Sequence, residues 1–392
     1  MNILFLMKVY EIGGQEVVTS TLANSFIEHG HKVYIVSFNT PNLQMQKRTS
    51  PSVKFYTLGE YKYSKKNVKK LRVILEKEKI DLVINQWGLP YIPSKVLFHA
   101  KKNLKLKTIA IYHNSPDTNA RIKEVDIEIS HTKFLLTKWL LYCKKYIYQL
   151  ITSSSMRYVY NHSDLYVVLS PSFIEKFINF TGISKLQKLA VQTNPLTINT
   201  NDYIYSAKNK QKEIIYVGRI DFNQKRVNRI IETWKELEDK YPNWKLSIIG
   251  DGPYRKEVEQ KAKNLQLSRV HFEGFKDPET YYKRASLLIL TSEYEGFPLV
   301  LIESMAFGVV PVVFGSYSAV YDIIEDKING IIVEPQNGIF DKHKMANQLS
   351  FLMNDDIKRN KMAVKAIETS KNKYSLEIIY HSWEKLFNQL IN

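Results

Sequence analysis

The chain has 392 residues, 44% hydrophobic and 24% charged, so it is long enough for two ordinary domains and apolar enough to give each a core; disorder along its whole length is excluded. Its 56 Lys and Arg against 39 Asp and Glu leave +17, unevenly placed: residues 1–200 hold 28 basic and 13 acidic side chains, a net of +15, and residues 201–392 hold 28 and 26, a net of +2. A basic first half beside a nearly neutral second half points to an anionic partner, which charge alone leaves open among a membrane surface, a phosphate-bearing ligand and nucleic acid.

Cys143 is the one cysteine, so there is no intramolecular disulfide or Cys-rich metal site, and a reducing, cytoplasmic setting is expected. Met1 to Lys8 reads as a first β-strand rather than a leader. The longest apolar run, 297–315, contains Pro298, Glu303, Gly308 and Pro311; charge and helix breakers there argue against a membrane span.

Short β-branched runs alternate with longer amphipathic ones, the pattern of βαβ units around a parallel sheet. The first half predicts strands at 3–7, 32–37, 82–85, 108–112 and 165–169, with a helix over 15–29 that follows Gly13-Gly14 and ends at Gly30. Residues 197–212 are polar and without apolar periodicity, which predicts a linker. Strands follow at 213–217, 245–249, 270–273, 287–290 and 310–314, with helices near 225–240, 254–265, 278–285 and 299–307, and a helical pattern from Lys342 to the end. The expected fold class is therefore α/β, with two Rossmann-like doubly wound domains. The expected boundaries are 1–196, a linker over 197–212, 213–375, and a C-terminal helix over 376–392 that returns to the first domain. Such sheets bind ligands at the carboxyl ends of their strands, and a ligand between two domains is more fully buried, so the two are expected to face each other across a cleft.

Chemistry-bearing residues fall just after predicted strands. Gly218 ends one strand, Arg219 follows it, and Lys225 stands six residues on, where the start of a helix is predicted and its dipole favours an anion. Two cations and a helix N-terminus suit a diphosphate, although surface cations flanking a strand would look the same. Gly250-Asp251-Gly252-Pro253 reads as a structural turn, with Pro253 at the first helical position; neither it nor the Gly13-Gly14 loop has the spacing of a dinucleotide fingerprint. The Gly13-Gly14 backbone leads into a helix and can approach a phosphate or sugar closely. In the string from Ser292 to Val313, Glu295 falls in a loop, Pro298 marks a helix start, and Glu303 lies between Ile302 and Met305 in an apolar helix. An ionised carboxylate buried there needs a donor-rich neighbour, for which ribose hydroxyls are candidates. Five residues, about 7.5 Å of helix rise, separate Pro298 from Glu303. The two carboxylates therefore need not meet and can address different parts of one elongated ligand, unlike a glycosidase pair.

The Glu295 to Glu303 string resembles the E-x7-E signature of retaining GT-B glycosyltransferases of family GT4. The other matching pieces, in order, are Gly13-Gly14, Gly30-His31, His113, Asn194-Pro195, Gly218-Arg219 with Lys225, Gly250 to Pro253, and Gly274-Phe275. The resemblance implies a hexosyl-type transferase that uses a nucleotide-sugar donor, with UDP the commonest carrier, and works without metal or other cofactor. It implies that Arg219 and Lys225 neutralise the donor diphosphate, that Glu295 contacts the sugar and Glu303 the ribose, and that the backbone at Gly296, Phe297 and Pro298 adds amide contacts. It places His113 near sugar and acceptor, Gly14 close to the phosphates, and Gly274 and Phe275 just before the stretch that reads the base. By the same resemblance, the first domain binds a saccharide or lipid-linked acceptor for cell-surface polysaccharide assembly. Val17 stands where a basic residue is frequent, and Pro298 replaces a frequent glycine.

Residues 131–160 alternate aromatic and aliphatic side chains with lysines, as a basic amphipathic helix would, and 62–79 adds a second cationic cluster. An anionic membrane surface is thus a candidate partner of the first half, with peripheral attachment at the inner face of the cell membrane; the alternative is that the aromatics are core and the lysines solvated. A sugar-nucleotide epimerase of the same architecture and a non-enzymatic anion- or nucleic-acid-binding protein are the rival readings. No helix-turn-helix, zinc-finger or RNP-type string supports nucleic acid.

Overall fold

Strands covered by helices on both faces have no solvent side to make polar, and the short runs rich in Val, Ile and Leu in both halves of this chain form parallel sheets of that kind. The computed structural model describes residues 1–89, 91–336 and 338–391, which divide into two compact units, Met1–Thr197 with Leu376–Asn392, and Ile198–Ser375.

The first unit begins with β1 (Asn2–Met7), α1 (Gly14–Glu28), β2 (Lys32–Ser37), α2 (Leu43–Arg48), β3 (Lys54–Thr57), α3 (Lys65–Lys77) and β4 (Leu82–Asn85). It continues through α4 (Tyr91–Ala100), β5 (Lys107–Tyr112), α5 (Ala120–His131), α6 (Leu135–His162), β6 (Leu165–Val168), α7 (Phe173–Thr181) and β7 (Leu189–Val191). The strands lie in the order β3-β2-β1-β4-β5-β6-β7, all parallel. Chain direction across the sheet reverses between β1 and β4, and such a switch leaves a crevice at the carboxyl ends of those strands.

The second unit contains β8 (Glu213–Val217), α8 (Val227–Lys235), β9 (Lys245–Ile249), α9 (Arg255–Asn264), β10 (Val270–Gly274), α10 (Glu279–Arg284) and β11 (Leu287–Leu290). There follow α11 (Leu299–Ala306), β12 (Val310–Phe314), α12 (Ala319–Ile323), β13 (Ile331–Val333), α13 (Lys342–Asn354) and α14 (Asp356–Tyr374). Its strand order is β10-β9-β8-β11-β12-β13, so the switch falls between β8 and β11. Tyr203 and Tyr205 donate to the Phe307 carbonyl and Asn360, and Lys210 to the Tyr282 carbonyl. The polar segment over 197–212 is thus pinned to this unit. The last helix, α15 (Leu376–Ile391), belongs to the first unit, where Trp383 and Phe387 pack edge-on against Phe26 of α1 and Tyr380 stacks on His29.

Every strand expected from the sequence is present to within one residue at each end. Those not foreseen, β3, β7 and β13, each lie at a sheet edge and run three or four residues. An edge strand that short carries too little apolar periodicity to announce itself. The helix expected over 225–240 is instead α8 followed by a separate 3-10 turn at Glu238–Lys240, and α9 begins at Arg255, two residues beyond Pro253.

Candidate active site

Adjacent strands at a switch point bring their following loops together, and in the second unit those loops are 218–226 after β8 and 291–298 after β11. Gly218 has φ +148°, and a Cβ on Gly250 (φ +144°) would come within 1.9 Å of the Gly218 carbonyl oxygen. The Gly250 turn is therefore structural: it lets the end of β9 press against the backbone that carries Arg219. Asp221, buried, organises the loop. Its Oδ1 accepts from the Gln224 and Lys225 amides at 2.7 and 2.9 Å, and its Oδ2 accepts from Arg219 Nε at 3.0 Å. Arg226 then takes a left-handed conformation, φ +53°, immediately before α8. Lys225 consequently lies in the loop, two residues ahead of the helix start that its sequence position suggested.

The loops are stitched to each other. The Glu293 amide donates to the Gln224 carbonyl at 2.7 Å, and Thr291 Oγ1 to the carbonyls of Lys225 and Arg226. Gln224 Nε2 reaches the Tyr294 carbonyl at 3.2 Å and Glu295 Oε2 at 3.3 Å, and Lys225 Nζ donates to Glu295 Oε1 at 2.5 Å. Glu295 is only 6% exposed, so its charge is sustained by that ammonium and that amide. Arg219 differs: its side chain is 63% exposed, and its Nε and Nη2 edge is spent on Asp221, which leaves Nη1 for a ligand. Arg219, Lys225, Asp221 and Glu295 sum to zero charge.

Eight residues past Glu295, Glu303 sits inside α11, 7% exposed, and accepts a hydrogen bond from the Tyr282 hydroxyl at 3.1 Å. Burial pushes the Tyr282 hydroxyl far up, and the neighbouring carboxylate pushes it further, so it remains a donor. Gly296, Phe297 and Pro298 are buried ahead of α11, with Phe297 against Tyr374 at 5.5 Å between ring centres. Proline has no N–H, so the amide contacts expected from this stretch reduce to those of Gly296 and Phe297 and the first turn of α11. Gly274 (φ +72°) closes β10, its carbonyl accepting from the Gly250 amide, and Phe275 beside it is 71% exposed. Four further buried polar atoms at this end of the sheet have no partner among the described residues: Asn228 Oδ1, Ser292 Oγ, Tyr317 OH and Ser318 Oγ. Ser292, Tyr317 and Ser318 lie just after β11 or β12 and Asn228 in the first turn of α8, where a polar ligand would satisfy them. Tyr317 belongs with Glu295, whose charge adds to the burial that raises its hydroxyl. These atoms, with Asp221, Gln224 and Tyr282, are the part of the site that motif spacing does not reveal. Glu213, by contrast, is fully buried at the opposite end of β8 and held by Arg284 at 2.7 and 3.0 Å, a structural pair.

In the first unit the switch gathers the loops after β1, β4 and β5. Gly13 caps α1 without a side-chain hydrogen bond and Gly14 is its first residue, so the leading amides point outward. Glu16 folds back over Gly13, and burial pushes its carboxyl up to about 7. Gln86, the residue after β4, ties the cluster together: its carbonyl accepts from Gln15 Nε2 at 2.7 Å, and its side-chain oxygen meets His113 Nε2 at 2.6 Å. Because that oxygen can only accept, Nε2 of His113 carries the proton and Nδ1 is the acceptor. Burial lowers the His113 pKa to about 4, so the ring is neutral at pH 7. Such a group adds stability that is complete above about 6.5, its unfolded value, and is lost as pH falls through 4, at most about 3 kcal/mol. Urea denaturation of His113→Asn across pH 7 to 4 should show a shallower loss than wild type; parallel curves would mean that the ring titrates normally. Among the described residues no group of three or more His, Cys, Asp or Glu is placed to hold a metal ion. A concavity of about 490 Å³ lies at the other end of this sheet, beside Asn2, Lys32 and Lys54, away from these loops.

Comparison with known proteins agrees with this layout. The model of the family "Glycosyltransferase Family 4" matches residues 12–197, and that of "Glycosyl transferases group 1" matches 197–369. An uncharacterized glycosyltransferase of Haemophilus influenzae is 27% identical over 97% of this chain and 98% of its own. A Campylobacter jejuni enzyme, the GalNAc-alpha-(1→4)-GalNAc-alpha-(1→3)-diNAcBac-PP-undecaprenol alpha-1,4-N-acetyl-D-galactosaminyltransferase, is 26% identical over 100% and 99%. The crystal structure of Anabaena Alr3699/HepE in complex with UDP-glucose superposes with a TM-score of 0.75 over 99% of this chain and 100% of that one, at 17% identity, a likeness of fold. With two Rossmann-like units of GT-B type and both halves matched in order by family models, this chain belongs to the group 1, family 4 glycosyltransferases.

Proposed function

We propose that the chain is a retaining, metal-independent glycosyltransferase that moves a hexose from a nucleoside diphosphate sugar, with UDP as carrier, to a saccharide or lipid-linked saccharide acceptor in the assembly of a bacterial surface polysaccharide. The observation that carries this reading is the Lys225–Glu295 pair, flanked by Gln224 and Arg219 at the β8/β11 switch, with buried Glu303 eight residues beyond. A diphosphate departing from the sugar gathers negative charge, and fixed cations and amides stabilise that charge without having to reorganise. Arg219 offers its outward edge to the diphosphate. Lys225 bridges between phosphate and Glu295, so the carboxylate that accepts from the sugar hydroxyls and the ammonium that meets the leaving group hold each other in place. Glu303, held by Tyr282, accepts from the ribose. In the retaining step the C1–O bond to phosphate breaks as the acceptor oxygen bonds to C1 on the same face. The acceptor proton passes to a phosphate oxygen, so neither glutamate serves as general base. Neutral His113 addresses the acceptor side of the sugar through Nδ1. Among the described residues no helix is long and apolar enough to cross a membrane, and the lipid-linked acceptor would be met from the surface.

The test is thermal unfolding with UDP, GDP, ADP and a panel of their sugars, with and without EDTA. A ligand at one hundred times its Kd adds about 2.7 kcal/mol to apparent stability. UDP and one UDP-sugar should raise the midpoint by several degrees, equally in EDTA, and Glu303→Leu should abolish the rise. Stabilisation by none of the nucleotides overturns the donor assignment, and stabilisation that EDTA removes overturns metal independence.

A further inference from the structure

A side chain left in water by its own fold is informative when many apolar ones share a face. The second half of α6 is core, with Met156, Val159 and Tyr160 buried. Its first half is not. Leu135, Trp139 and Tyr146 form one ridge and Leu136, Leu140 and Ile147 the adjacent one, at helical spacings of four and seven, and all six are more than half exposed, Leu135 at 85%. Phe134 extends the ridges at one end and Ile151 at the other, a strip about 25 Å long. The aromatics of 131–160 are thus divided: the C-terminal ones pack inward, and the N-terminal ones face solvent. The side of the helix away from the strip is fastened to α5 by Lys144 to Glu128 at 3.0 Å and Lys145 to Asp126 at 2.6 Å.

We infer that this face of α6 is an in-plane docking helix for a lipid bilayer with anionic headgroups. Charge selects that occupant. From Thr132 to Ser163 the chain has no Asp or Glu, while Lys133 precedes the strip and Lys138 lies in its first turns. A helix with an apolar face, rimmed by lysines and carrying Trp and Tyr, lies in the headgroup boundary, its rings at the interface and its ammonium groups on the phosphates. Lysines on α3 extend the cationic surface. Lys65, Lys66 and Lys69 are exposed, and α3 is joined to α6 through α4 by Tyr63, Lys95, Tyr91 and Tyr158, in contact in that order. A second copy of the chain fits less well, because two-fold pairing would set one lysine-rimmed, acid-free strip against another.

The experiment uses the full chain without donor or acceptor, so its outcome is independent of the transferase reading. Co-sedimentation is measured with vesicles of phosphatidylcholine alone and with roughly one-third phosphatidylglycerol, and Trp139 emission is followed against Trp139→Phe. Wild type should bind the anionic vesicles, less so as salt rises from about 50 to about 500 mM, with a blue shift that Trp139→Phe removes. The triple variant Leu136→Ser/Leu140→Ser/Ile147→Ser should partition at least about tenfold more weakly with an unchanged thermal midpoint, since these side chains support no core. Lys133→Gln/Lys138→Gln should lose binding chiefly at low salt. Wild-type failure to bind anionic vesicles, or triple-variant binding equal to wild type, overturns the inference. So does a wild-type dimer that the triple variant dissociates without any vesicle binding.

Discussion

Replacing Arg219 by alanine should lower kcat/KM for sugar transfer by two to three orders of magnitude, or roughly 3 to 4 kcal/mol, the usual consequence of deleting one preorganised charge-stabilising donor. The side chain is well exposed and anchored through Asp221; its loss takes the cation from that buried carboxylate, which keeps the Gln224 and Lys225 amides, so the thermal midpoint should fall only modestly. Arg219→Lys should recover only part of the rate, because a point charge cannot hold Asp221 and a phosphate oxygen at once as a planar fork can. The measurement is steady-state transfer together with Kd for UDP. Near-normal turnover in Arg219→Ala would remove Arg219 from the transition state, and a proportional rise in KM with kcat intact would reduce its role to ground-state binding.

Lys225→Met is expected to do more, because it acts on stability as well as rate. Its ammonium is the cation on Glu295, and the side chains of the two are 17% and 7% exposed. Removing one partner of a buried pair strands the other, at about 3 to 5 kcal/mol. In a unit of this size each kcal/mol corresponds to about 2 to 4 °C, so the midpoint should fall by about 6 °C or more. Lys225→Met/Glu295→Gln should restore most of that loss while remaining inactive, since the double variant leaves neither charge of the pair stranded but also has neither the ammonium for the diphosphate nor the carboxylate for the sugar. A double variant as unstable as the single would mean that the pair's geometry, and not its charge balance, supports the loops.

Strand by strand, the sheet was legible wherever burial is complete. β8 and β11 are buried at every position, and full burial writes itself as an unbroken apolar run. β3 and β7, half-exposed edges, leave no such record. The same division holds at the site. Glu303 is visible in sequence because a carboxylate interrupts an apolar helix. Its partner Tyr282 is not, because an aromatic on a short amphipathic helix looks like any core residue, and only the packing of α10 beside α11 gives its hydroxyl a target. Gln86 was invisible for a related reason: a lone glutamine after a strand carries no signal until β1, β4 and β5 are set side by side.

The order of strands and loops, the separation into two α/β units, and the presence of two cations and two carboxylates after particular strands were determined by the sequence itself, because hydrophobic period and residue chemistry are local properties. Tertiary structure decided which of those charges meet. Glu295 is neutralised by Lys225 seventy residues away, since β8 and β11 are neighbours only after the sheet has formed. It also decided that half of a helix with core-like composition is left in water, because exposure depends on what the rest of the chain places against a surface.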